Sequence, residues 1–222
     1  MRTLTLILFS LPTCVAVSQF SWEPRTDPPI TGLWGPATFV IGDQGYVVSG
    51  RSNGTDVTNV WMYDPALDSW TPKAPIPVPR RFAAGFSING KGYVACGLNS
   101  VSNQLSDVWE YDPVANAWTS KASFPGNARY GTCHFAIGGY GYVGTGNTGS
   151  STGPYATNMY AYDQGSNSWS VRASIPGMAR YGTSTIIAGG KAYVFGGRVS
   201  NLTYTDDIYE YDPSSNSWLQ RT

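Results

Sequence analysis

The chain has 222 residues, with 26 Gly, 15 Pro, 14% aromatic and 13% charged residues, and a formal net charge of zero. So many turn residues and aromatics exclude a disordered chain and a helical bundle, and predict an all-β protein. The charge balance excludes nucleic acid as a partner, because phosphate binding needs a concentrated basic surface.

Residues 1–18 read as a secretory signal peptide. Arg2 gives the positive start, Leu4 to Leu11 the short apolar run, and Ala16-Val17-Ser18 a cleavage site before Gln19. The run is too short to span a bilayer and no later segment is a transmembrane candidate, so the expected location is extracellular, periplasmic or cell-surface. Lipid attachment at Cys14 is the rival reading, but Leu11-Pro12-Thr13 lacks the small residues such sites prefer.

From residue 30 onward one pattern recurs four times. YDPALDSW (63–70), YDPVANAW (111–118), YDQGSNSW (162–169) and YDPSSNSW (211–218) begin 48, 51 and 49 residues apart. Each follows a strand block: GYVVSG (45–50), GYVACG (92–97), GYVGTG (141–146) and AYVFGG (192–197). A period near 50 residues fits the four-stranded blade of a β-propeller, which buries its faces only by stacking on neighbours. The repeats run about 30–79, 80–128, 129–179 and 180–222 within a propeller domain of residues 19–222.

In the last repeat the strands are expected at Thr183 to Ala188, Ala192 to Phe195, Asp207 to Tyr211 and after Trp218. Tyr63, Trp70, Tyr111, Trp118, Tyr162, Trp169, Tyr211 and Trp218 read as structural repeat positions packed between blades. Residues 20–29 offer a possible closing strand, since SWEPRTDPP (21–29) resembles SWTPKAPIP (69–77). In a closed four-bladed ring Trp22 and Trp218 would compete for one slot, so the four blades read as part of a six- or seven-bladed ring.

The Gly-rich strand end, the Tyr-Asp about 15 residues on and the following Trp together resemble the kelch repeat. The double glycine of that family is complete only at Gly196-Gly197, with Ser49-Gly50, Cys96-Gly97 and Thr145-Gly146 elsewhere. The blocks beginning at Ala128 and Ala179 also look like kelch arrays of exported bacterial proteins.

A four-stranded meander places the variable loops on one face: Arg51 to Asn59, Leu98 to Ser106, Asn147 to Thr157 and Arg198 to Thr205. Arg80, Arg129 and Arg180 form one column 13 residues before Tyr93, Tyr142 and Tyr193, with Leu33 in the first repeat. The resemblance implies that arginines here line a channel mouth; the alternative is that each ties down neighbouring backbone. The candidate ligand site is Arg80, Arg129, Arg180, Tyr130, Tyr181, Arg51, Asn147 and Arg198, with Asp206 and Asp207 able to neutralise the arginines.

Neither a metal nor a cofactor is expected, since His134 is the single histidine. The kelch domain resembles that of galactose oxidase, whose copper-radical chemistry needs paired histidines that this chain lacks. Cys96 and Cys133 are read as buried thiols, with a disulfide as the alternative. The expected function is a secreted kelch-repeat binding or scaffolding module for a protein or carbohydrate, with no catalytic residue identified. The alternative is a carbohydrate-active kelch enzyme such as a sialic acid mutarotase.

Overall fold

The computed structural model describes residues 22–101 and 103–222, so the signal peptide and Cys14 lie outside the described residues. All regular elements among the described residues are strands. Four antiparallel four-stranded sheets follow one another along the chain, each a meander.

Blade 1 comprises β1 (Ala37–Ile41) and β2 (Gln44–Val48), then a ribbon of β3 (Arg51–Ser52) and β4 (Thr55–Asp56), then β5 (Val60–Asp64) and β6 (Ser69–Lys73). Blade 2 comprises β7 (Ala84–Ile88) and β8 (Lys91–Ala95), a ribbon of β9 (Leu98–Asn99) and β10 (Asn103–Gln104), then β11 (Val108–Asp112) and β12 (Ala117–Lys121). Blade 3 repeats this with β13 (Cys133–Ile137) and β14 (Tyr140–Gly144), a ribbon of β15 (Asn147–Ser150) and β16 (Gly153–Tyr155), then β17 (Met159–Asp163) and β18 (Ser168–Arg172). In blade 4 the ribbon fuses with the sheet: β19 (Ser184–Ala188), β20 (Lys191–Ser200), β21 (Thr203–Asp212) and β22 (Ser217–Arg221). The sequence pattern placed the second and third strands of this blade over shorter spans. Here they run on, through bulges near Gly196 and Val199.

The segments expected as plain loops therefore carry small hairpins. In the first, Asn53 (φ 47°) and Gly54 (φ 81°) make the two-residue left-handed turn that joins paired strands with the right twist.

Apolar side chains fall into three clusters, one at each junction between consecutive blades. Phe39, Tyr46 and Val48 of blade 1 meet Val94, Tyr111 and Trp118 of blade 2. Phe86 and Tyr93 of blade 2 meet Val143, Tyr162 and Trp169. Phe135 and Tyr142 of blade 3 meet Ala192, Val194 and Tyr211. The fit is close: a Cβ at Gly141 would lie 2.1 Å from the Phe86 ring, so the small residue there lets the strands approach.

The Tyr and Trp columns add polar joints to these clusters. Tyr111 Oη donates to Asn116 Oδ1 (2.7 Å), which also accepts from Ala74 N of the preceding blade (2.9 Å). Trp118 Nε1 returns a bond to Ala74 O (2.8 Å). Asn167 and Trp169 hold Ala122 in the same way, and Asn216 and Trp218 hold Ala173. In blade 1, Asp68 accepts from Thr26 N (3.0 Å) and Trp70 Nε1 donates to Thr26 O (2.8 Å). The N-terminal stretch thus docks as the exit of a preceding blade does, although residues 22–28 are irregular.

Candidate ligand site at the mouth of the inner strands

The inner strands β1, β7, β13 and β19 lie at one edge of each sheet and neighbour one another in sequence order. Each is entered from the loop-rich face through an equivalent stretch: Leu33-Trp34-Gly35, Arg80-Arg81-Phe82, Arg129-Tyr130-Gly131 and Arg180-Tyr181-Gly182.

The arginine column has the geometry of a clamp. Arg80, Arg129 and Arg180 are 0%, 1% and 0% exposed. Arg80 O accepts from Gly50 N (2.7 Å) of blade 1, while its guanidinium donates to Cys96 O and grips both oxygens of Asp107 (2.8 and 2.7 Å). Arg180 repeats this on Gly196 O and Asp207, and Asp206 takes no part in that pair. Burial would raise the carboxyl of Asp107, but the hydrogen bond and charge of Arg80 outweigh it and hold it below its ordinary range; Asp207 is held down likewise by Arg180. These guanidinium groups turn into the blade, away from the mouth.

The next column forms the mouth. Trp34, Arg81, Tyr130 and Tyr181 each bridge antiparallel to the first ribbon residue of the same blade: Arg51, Leu98, Asn147 and Arg198. A line of rings crosses the four blades. Trp34 meets Phe82 edge-on (5.1 Å), Phe82 lies 6.1 Å from Tyr130, and Tyr130 meets Tyr181 edge-on (5.8 Å). Arg81 sits 5.8 Å over Trp34, and Arg198 5.8 Å over Tyr181. Trp34 is 48% exposed, and Trp34, Arg81, Phe82, Leu98, Tyr130 and Tyr181 line a cavity of about 300 Å³.

The other expected site residues shape this mouth. Asn147 is buried and donates to Tyr130 Oη (2.9 Å) and Ser150 O, fixing the Tyr130 ring. Arg198 donates to Tyr181 Oη (3.0 Å), to Ser200 O and to Asn201 Oδ1, and the Tyr181 hydrogen bond raises its already high pKa. Arg51 donates to Gly54 O within its own ribbon. Arg81 pairs with Asp56 of the blade 1 ribbon (2.5 Å), tying the two blades at the rim.

Sequence reading missed Trp34, Arg81 and Phe82. Phe82 (φ 53°) occupies the left-handed position that Gly35, Gly131 and Gly182 fill in the other repeats. A bulky residue there is strained, and such strain concentrates at functional surfaces. Its backbone sits in a belt: Phe82 N donates to Gly35 O, Gly131 N to Phe82 O, and Gly182 N to Gly131 O (2.7–2.8 Å). The signal was a phenylalanine aligned with glycines.

No group of three or more His, Cys, Asp or Glu among the described residues could hold a metal ion. His134 Nδ1 faces Thr132 O (3.0 Å), and burial lowers its pKa. No helix among the described residues is long and apolar enough to cross a membrane.

The Kelch motif matches residues 79–125 and 179–220, the second and fourth repeats. The first and third repeats share the blade topology. No curated protein matches the sequence. Among 243 solved chains that match, the structure of YjhT superimposes with a TM-score of 0.76 at 21% identity, over 90% of this chain and 67% of that one. That likeness shows the fold alone, and a propeller hosts many unrelated functions.

Proposed function

Starting from an array of propeller blades that carries Kelch motifs, we propose that the chain is a carbohydrate-binding module whose ligand lies across the mouth of the inner strands. The observation that carries this reading is the line Trp34, Phe82, Tyr130 and Tyr181, flanked by Arg81 and Arg198. Aromatic faces pack against the C–H face of a sugar ring, and guanidinium groups supply fixed donors to its hydroxyls. The rings are pre-set by the belt and by Asn147, so ordering them costs little on binding. Export from the cell, expected from residues 1–18, accords with such a role.

A glycan array followed by calorimetric titration of the best glycan tests this. Phe82→Gly keeps the left-handed turn that the other repeats make with glycine while deleting one ring, and Trp34→Ala deletes the exposed one. Each is expected to weaken binding by about 1–3 kcal/mol without loss of fold, the order of a hot-spot truncation. Absence of binding on the array, or unchanged affinity in both variants, overturns the reading. Faster anomer exchange of N-acetylneuraminate by proton NMR would replace it with the mutarotase alternative.

A further inference from the structure

The three column arginines are not equivalent. Arg80 and Arg180 each grip a carboxylate, Asp107 or Asp207, 27 residues on. The third repeat has Asn158 in the equivalent place before the third strand, 29 residues on, and no carboxylate among the described residues pairs with Arg129. Arg129 donates from Nε to Asn127 O and from Nη1 to Thr145 O and Asn158 Oδ1, and stacks 4.7 Å over Phe124. Its Nη2 makes no hydrogen bond among the described residues. A buried charge without a counter-charge is costly, and desolvation lowers the pKa of Arg129.

Beside this group lies a cavity of about 360 Å³ between the blade 3 ribbon and the loop entering blade 4. Asn127, Arg129, Thr148, Tyr155, Thr157 and Asn158 give it a polar lining. Tyr155 also lines it, and its Oη is buried with no hydrogen-bond partner among the described residues. Arg129, 1% exposed, and Tyr155, each with a polar group unpartnered among the described residues, therefore line one cavity.

We propose that this cavity binds a small hydroxylated carboxylate, whose anionic group supplies beside Asn158 the counter-charge that an aspartate supplies in blades 2 and 4. The carboxylate accepts from Arg129 Nη2, and the lining hydroxyls and amides meet the ligand's hydroxyls. The site is separate from the mouth, although the Tyr155 ring packs on Tyr181 (5.0 Å).

Titration with gluconate tests the proposal, with sorbitol as the neutral analogue and sulfate as an anion of different shape. Gluconate is expected to bind and to raise Tm; sorbitol is not, and sulfate more weakly. Asn158→Asp restores the internal carboxylate of the sister blades and is expected to reduce gluconate affinity at least tenfold, about the loss of one charge-assisted hydrogen bond, while raising Tm. Tyr155→Phe is expected to weaken it several-fold with the fold intact. Because Asn158→Asp leaves the mouth untouched, its effect is separable from that of the Trp34 and Phe82 variants. No binding of gluconate, equal binding of sorbitol, or undiminished affinity in Asn158→Asp overturns the proposal.

Discussion

At the scale of single residues, burial and pairing make clear demands on pH. Asp107 and Asp207 have folded-state pKa values below 3.8, so their ionised forms favour the folded chain. That contribution is complete above the unfolded value and is lost as pH falls through the lower folded one. The Asp207→Asn variant leaves Arg180 buried without its counter-charge; it is expected to lose about 3 kcal/mol at pH 7 in urea unfolding, with a difference from wild type that shrinks as acid protonates Asp207. His134 shifts the same way for another reason: burial favours its neutral form. Because it is the chain's single histidine, its ring C–H resonance can be followed by NMR without assignment, and is expected to titrate below 6.5. A midpoint at or above 6.5 would mean that the ring is solvated. The arginine column was legible from spacing, but its depth was not. Where a guanidinium points is decided by the carboxylate or carbonyl across the blade, and no periodicity encodes that.

At the scale of elements, the turn between the third and fourth strands is the joint of the array. Asn116 has φ 49° and accepts from both Tyr111 Oη and Ala74 N, so one oxygen serves two blades. Asn116→Ala leaves those donors unsatisfied and puts alanine in a left-handed conformation. The expected loss is about 2–3 kcal/mol in chemical denaturation, and Asn116→Asp, which can still accept, should lose less. Asp68 already does this work in blade 1. The Tyr-Asp…Trp motif was legible because this joint needs the same atoms each time. The mouth was legible only at Tyr130 and Tyr181, because its column reads Trp34, Arg81, Tyr130 and Tyr181, four positions alike in place and unlike in chemistry. The ribbons were missed although Asn53-Gly54 is a strong hairpin signal, since two-residue strands have too little alternation to stand out.

At the scale of the whole molecule, two of the three inter-blade clusters bury one thiol each, so the thiols stay apart. Cys96 and Cys133 are free and fully buried, and burial pushes each thiol up to about 12. Neither should react with Ellman's reagent in the native state, both should react in denaturant, and Tm should be the same with and without reductant. A reductant-dependent Tm would place a disulfide in solution. Each joint uses the same few atoms: an Asx oxygen and an indole nitrogen on one blade, and a single backbone unit, Thr26, Ala74, Ala122 or Ala173, on the other. Such couplings are interchangeable. A gene segment of about 50 codons copied or deleted by unequal recombination would arrive with both of its connectors already matched, so blade number can change over evolutionary time without any residue at the seam having to change with it.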